Sequence, residues 1–316
     1  MQAISAHSDN AKIPLAATHH ATIHGDKKSE LDKSHAITSK IVEHDFPIEF
    51  VLAGELAQME TFAIPRISKL LHRTRQYEDD GVKRLDDTKA TLYEIFTQPA
   101  GHEAREKMVS HLNWVHSHYD IDNDDNIYTL IRMFLNPIEW IEKWGRRPLS
   151  SSEKQALADE LNVIAQQMNI RDMPKTIEAM EHWQQDYRAE NERFHADNAA
   201  VADGMMQAIE LHFPKLLRPL VKPTILALMD NDPLLVALGY TPPSRISKVL
   251  VKGGLASWRL ASRIYNPWAS RKFSDGWFVN YYPSYADDQD GFSLCKVGPK
   301  KLLAARDKKA SGCPFH

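Results

Sequence analysis

Cysteine is almost absent from this chain. Only Cys295 and Cys313 occur among 316 residues, both near the C-terminus and neither in a CxxC pair. That count excludes a cysteine-rich zinc site and points to a reducing compartment. Long apolar runs are missing as well. None reaches the roughly 18 residues of a membrane-spanning helix, and the N-terminus lacks the apolar stretch of a secretory signal. Neither sign of charge dominates: 39 Lys and Arg against 42 Asp and Glu leave a net charge of −3. This argues against a nucleic-acid partner. The glycine patterns that cradle phosphates and the GxSxG nucleophile elbow are absent, which disfavours nucleotide-binding folds and hydrolases of that type. Strand signal is confined to residues 277–282 and 291–294, without βαβ alternation.

What remains is helical periodicity over most of the length. The apolar content of 43% is enough for a full core in one large domain. Val51, Leu52, Leu56, Met59 and Phe62 recur at three-to-four spacing, followed by Ile67, Leu70 and Leu71 after Pro65. Thr88–Phe96 is a further periodic stretch. Asp124 or Asp125 is the expected N-cap for the run from Ile127 to Phe134, with Pro137 interrupting or restarting the helix before Gly145 ends it. Ser150 with Glu153 three residues on forms a capping-box pattern, opening a helix to about Met168. Thr176 begins a long helix to beyond Arg193, and Ser244–Ile264 reads as another. Residues 1–40 read as a flexible leader whose histidines (His7, His19, His20, His24, His35) lack metal-binding spacing. Residues 41–300 read as the helical domain, and 301–316 as a polar tail.

The segment from His111 to Tyr119 holds three histidines that point in different directions. At about 100° per residue, Met108, Leu112, Val115 and Tyr119 share one apolar stripe. His116 lies on its flank. His111 and His118 fall on another side, where exposure or capping is expected. An imidazole facing a core is either satisfied by a buried acceptor, Asp120 for instance, or it ligates a metal or haem iron. Arg84 and Thr88, spaced i, i+4, share a helix face with Leu92 and Ile95. That pair fits a pocket wall holding an anion or polar oxygen, and it fits a surface arginine at a first helical turn. A di-iron carboxylate site would need two Glu-x-x-His pairs; only Glu192–His195 is present. The aspartates from Asp120 to Asp125 lack the glycine and closing glutamate of a calcium loop.

An ordered series of segments resembles the haem-dependent oxygenase family that contains the mycophenolic-acid-pathway and rubber oxygenases. The segments are Thr61–Leu71, Lys83–Thr88, Asn113–Tyr119, Asn123–Leu130, Arg147–Ser150, Met168–Pro174, Leu217–Pro219 and Leu238–Tyr240. The resemblance spans roughly residues 45–300 and lies nearer the mycophenolic branch. It implies an all-α, multi-helix single domain enclosing a b-type haem, with a distantly globin-like helical core. It further implies His116 as the proximal iron ligand, and Arg84 and Thr88 as the Arg-x-x-x-Thr motif beside the haem, with catalytic roles. Arg84 would also contact the cofactor. Rubber-cleaving members carry a lysine immediately before that threonine, where this chain has Asp87. The family's distal glutamate has only Glu60 as a positional candidate. The expected partners are a small hydrophobic, isoprenoid or lipid-like substrate and dioxygen or peroxide. A haem peroxidase or peroxygenase and a non-catalytic haem sensor are the alternatives. The expected location is cytoplasmic, with room for peripheral membrane contact.

Overall fold

Helices account for nearly all regular structure in the computed structural model, which describes residues 25–276, 282–286 and 292–309. In chain order they are α1 (Gly25–Lys40), a π-helical turn (Ile41–Asp45), α2 (Pro47–Thr61), α3 (Pro65–Thr74), α4 (Gln76–Thr97) and α5 (Glu103–His116). Then follow α6 (Asn123–Trp144), α7 (Ser151–Gln167), α8 (Ile177–Asn191), α9 (Ala196–Leu211), α10 (Arg218–Met229), α11 (Asp232–Ala237), α12 (Arg245–Ile264) and α13 (Lys300–Lys309). The all-α expectation holds: no strand occurs among the described residues. Of the two segments with strand-like composition, residues 277–281 and 291 lie outside the described residues. The remainder of those stretches borders single 3₁₀ turns, Pro283–Tyr285 and Leu294–Lys296.

Helix α2 is the axis of the molecule because it is buried on two sides. Leu56, Met59 and Ala53 join a core with Tyr77 of α4, Met205 of α9 and Leu235 of α11. Phe50 joins a second core with Phe96 of α4, Ile131 and Phe134 of α6 and Leu161 of α7. A helix enclosed in this way has little water-facing surface, so its polar side chains Glu55, Gln58 and Glu60 must resolve their hydrogen bonds inside the protein. Helices α4 and α9 cross closely. A Cβ on Gly204 would stand 2.8 Å from the Tyr77 backbone, so only glycine permits that approach. The crossing fixes the part of α4 that carries Arg84 and Thr88.

Several boundaries differ from the sequence expectations, each for a local reason. Residues 25–40 are not leader but α1, which packs on α7. Its few inward residues are anchored by polar contacts, Ser34 Oγ to Asp159 at 2.9 Å and His35 Nδ1 to Glu160 at 3.3 Å, so apolar periodicity is weak there. The start of the supposed tail is helical too, as α13. The α6 N-cap is Asp122, which accepts from Asp124 N at 2.9 Å. Asp125 instead turns inward to a two-pronged pairing with Arg66, at 2.7 and 2.9 Å. Pro137 does not break α6. Packing of α6 on α2, with Asn136 Nδ2 donating to Ala53 O at 3.0 Å, outweighs the one backbone bond that proline forfeits. Helix α8 ends at Asn191, earlier than expected. The Ser150–Glu153 capping box is present as read. Cys295 is disulfide-bonded, unlike the reduced thiols that a reducing compartment would hold.

Candidate active site

Helices α2, α4 and α5 bring together Glu55, Gln58, Arg84, Thr88 and His116. The structure thus joins all three residues that the sequence singled out, although α4 and α5 are separate in the chain. His116 is the last residue of α5. It is partly buried, and neither ring nitrogen has a hydrogen-bond partner among the described residues. Burial, reinforced by the Arg84 guanidinium, pushes its pKa down to about 4. The ring is therefore neutral at ordinary pH, with an available lone pair.

The neighbouring histidines separate as the helical wheel demands, but not both to the surface. His118 is exposed, and its Nδ1 lies 2.8 Å from Trp114 O at the helix end. His111 is wholly buried, and its Nε2 contacts Val297 O at 2.8 Å. That corrects the expectation of exposure: the C-terminal segment covers the face of α5 that a wheel drawn from α5 alone leaves open.

Arg84 donates to the Thr88 hydroxyl in a very short contact, and that hydroxyl donates on to Arg84 O at 3.0 Å. Gln58 Nε2 also donates to Thr88 Oγ1, at 3.2 Å. The guanidinium lies 5.3 Å from the centre of the buried Tyr77 ring. Arg84 is thus partly buried and engaged within the fold, and Thr88 is the member of the pair that lines a cavity. Asp87, immediately before Thr88, faces away from this cluster. It pairs with Lys83 at 2.8 Å, accepts from Gly298 N at 3.0 Å and receives the Tyr285 hydroxyl.

Glu60 is buried, not exposed, and is fully engaged. Arg132 donates to it at 2.5 Å and Asn136 at 3.2 Å. These two donors tie it to α6 as a buried ion pair. The structure offers Glu55 instead, which sequence reasoning missed. Its Oε2 is buried without a hydrogen-bond partner among the described residues. Burial raises its pKa to about 7, against the opposing pull of Lys89 and Arg84. The signal was in the sequence: Glu55 falls within the same apolar run of α2 as Leu52, Leu56 and Met59, a carboxylate on a core helix just as His116 is an imidazole beside a core stripe.

Two cavities meet at Glu55 and Lys89. One of about 280 Å³ is walled by Phe50, Leu92, Phe96 and Met133 and reaches Gln58 and Thr88. The other, of about 510 Å³, runs between α2, α4, α9 and α10 and is lined by Leu52, Met59, Leu85, Val221 and Ile225. Both are mostly apolar, with their polar groups clustered at the junction.

A proton on Glu55 is held more tightly in the folded chain than in the unfolded one, because its pKa is raised. The burial cost is absent below the ordinary glutamate value of about 4.5 and grows as pH rises through about 7. Glu55→Gln should therefore gain stability over the parent between pH 5 and pH 8, by about 1–3 kcal/mol. Urea melts at the two pH values measure it. An unchanged difference would mean that Glu55 is solvated.

Comparison with known proteins places this architecture. Residues 44–245 match the family described as "ER-bound oxygenase mpaB/B'/Rubber oxygenase, catalytic domain". The match covers most of the chain, which therefore belongs to that family of oxygenase catalytic domains. Among individual relatives, it is 26% identical over 254 residues to ER-bound oxygenase mpaB' of Penicillium brevicompactum, covering 75% of this chain and 60% of that protein. It is 27% identical over 227 residues to ER-bound oxygenase mpaB of Penicillium roqueforti, covering 66% of this chain and 76% of that one. A third relative, mpaB of Penicillium brevicompactum, is 27% identical over 176 residues, 45% of its length. The chain thus spans about three fifths of the first of these relatives. No described helix is long and apolar enough to cross a membrane.

Proposed function

We propose that the protein is a haem b-dependent oxygenase acting on an unsaturated hydrophobic substrate of isoprenoid or lipid-like character. The observation that carries this reading is His116: a neutral imidazole, its nitrogens unengaged, next to a cationic arginine and a cluster of unsatisfied polar atoms. Those atoms are Glu55 Oε2, Gln58 Oε1 and Tyr77 OH, all buried and without partners among the described residues. Buried polar atoms left open together suit a site shaped for a polar or ionic ligand. No group of three or more His, Cys, Asp or Glu that could hold a bare metal ion occurs among the described residues, so an iron held by His116 would have to bring further ligands with it, as a porphyrin does. The residues present fit the group.

Haem, when bound, supplies the activation of dioxygen. The chain's own residues would do the rest. His116 would hold the iron on one side through its free nitrogen, and its depressed pKa keeps that nitrogen unprotonated. Arg84 would pair with a carboxylate of the cofactor, a charge-assisted contact favoured in a site of low polarity. Thr88, whose hydroxyl takes donors from Arg84 and Gln58 and donates to Arg84 O, would hold the guanidinium in place beside His116. The apolar walls would seat the substrate and exclude water. Glu55 Oε2, at the junction of the two cavities with a pKa near neutrality, would accept a proton from the substrate and return it.

The test is optical. Purified protein titrated with haem should give a stoichiometric Soret band that shifts on reduction with dithionite and again on exposure to carbon monoxide. Absence of a saturable band would overturn the reading. Consumption of dioxygen rather than peroxide with an unsaturated lipid would separate an oxygenase from a peroxidase.

A further inference from the structure

Helix α12 is inside out. Its polar side chains face the protein: Lys248 reaches Asp232 at 2.5 Å, Lys252 reaches Asp230 at 2.8 Å, Arg259 donates to Lys143 O at 3.3 Å and Trp258 Nε1 donates to Glu49 at 2.9 Å. Apart from Leu255, which packs on the core, and the half-buried Val251, its large aliphatic side chains face outward. Leu250 is 69% exposed, Ile246 72% and Ile264 84%, with Val249 and Leu260 alongside them. α12 packs on α10, whose approach bears a second exposed apolar group, Leu216 at 88% and Leu220 at 62%. A folded protein rarely leaves so much contiguous apolar surface in water unless another phase or partner covers it.

Charge identifies the occupant. Residues 211–229 contain Lys215, Arg218 and Lys222 and no Asp or Glu. Residues 241–274 contain Arg245, Lys248, Lys252, Arg259, Arg263, Arg271 and Lys272, again with no Asp or Glu. All 42 acidic residues of a chain with net charge −3 lie elsewhere. Lys222, Lys248 and Lys252 pair with Asp203, Asp232 and Asp230 on the inner side, which leaves Lys215, Arg218, Arg245 and Arg263 as the cations beside the exposed aliphatic side chains, a combination that matches the interface of an anionic bilayer. A second copy of the chain would set two such basic zones against each other, which disfavours self-pairing. We infer that α12, with the segment leading into α10, seats the protein in the plane of an anionic lipid surface.

The placement has a consequence for substrate entry. Phe213, Leu217 and Leu220 belong to this exposed patch, and they also line the 510 Å³ cavity that leads to Glu55. A protein seated this way would open that cavity toward the acyl chains, so that an apolar substrate need not cross water. The family match ends at Arg245, so all but the first residue of α12 lies beyond it.

The test is flotation of the full chain with phosphatidylcholine vesicles, with and without phosphatidylserine. The parent should float with the anionic vesicles, less so at high salt. The triple variant Ile246→Ser, Leu250→Ser, Leu260→Ser should lose at least about tenfold in partitioning, since three large aliphatic side chains leave the interface. Its thermal melt should be unchanged, because these residues are exposed. Lys215→Glu with Arg218→Glu should remove the preference for anionic lipid. Failure of the parent to float, or undiminished flotation of the triple variant, would overturn the proposal. So would a dimer in light scattering that dissociates on the triple substitution without any vesicle binding. Haem binding, read by absorbance, should be the same in parent and variants, which keeps this outcome separate from the functional reading above.

Discussion

Substituting His116→Ala should abolish stoichiometric haem binding, while His118→Ala should leave it intact. Loss of an outer partner to a metal-bound histidine already costs about 10–100-fold in affinity, so loss of the ligand itself should exceed that range. The comparison within one short segment is decisive because the two histidines differ in surroundings, not in residue type. His118 is exposed and spends its Nδ1 on the Trp114 carbonyl, whereas neither His116 nitrogen has a partner among the described residues. The pH dependence follows from the same environment. An ordinary histidine is protonated below about 6.5. In the fold His116 resists protonation down to about 4, and bound iron would compete further with the proton, so haem should persist at pH 5 and be released at or below about pH 4. Absorbance titrations of the parent and the two variants measure all three outcomes. Release near pH 6.5, or a normal Soret band in His116→Ala, would move the ligand elsewhere.

The largest effect on stability should come from Arg105→Met. Arg105 is completely buried and ties three helices together. It donates to Glu160 of α7 in a very short contact, to Gln167 at 2.9 and 3.1 Å, and to the carbonyls of Ile95 and Gln98 at 3.1 Å each. Methionine fills much of the same volume, so the loss is mainly electrostatic. The Glu160 carboxylate would remain buried with only His35 beside it. Breaking a buried pair from one side costs about 3–5 kcal/mol, and the two backbone carbonyls add to this. Arg75→Met, which removes an exposed i, i+4 pair with Asp79, should leave stability nearly unchanged, because solvent screens that pair. Urea unfolding of both variants checks the contrast. Equal effects would mean that Arg105 is not the keystone of the α4, α5 and α7 junction.

Most of the helices were legible because their buried faces are apolar and their ends are capped. Ser150 with Glu153 is an example that needed no tertiary information. His116, Arg84 and Thr88 were legible as a polar group beside an apolar stripe and as a spacing, and the fold brings them together. What escaped is what depends on a distant partner. α1 was missed because its anchors, Ser34 and His35, are polar and their partners lie on α7. His111 was misplaced because the backbone that buries it is at Val297. Glu55 went unremarked because glutamate is an ordinary helix residue, and only the cores on both sides of α2 make it unusual. α12 shows a further limit: periodicity gave the helix correctly, but a wheel does not say which of two faces looks inward.

The grip of the C-terminal segment on α4 and α5 bears on how the protein's length relates to its family. Lys83 donates to the carbonyls of Lys296 and Gly298, both at 2.9 Å, Asp87 receives Gly298 N, and His111 contacts Val297 O. All of these partners lie some fifty residues beyond the end of the family match at Arg245. A chain cut there would retain His116, Arg84, Thr88 and Glu55. It would lose the clasp behind them, leaving Asp87 paired only to Lys83 and exposing the far side of α5 to water. The catalytic-domain boundary set by similarity is therefore narrower than the cooperative unit set by hydrogen bonding, and the residues after Arg245 are part of what holds the site helices in register.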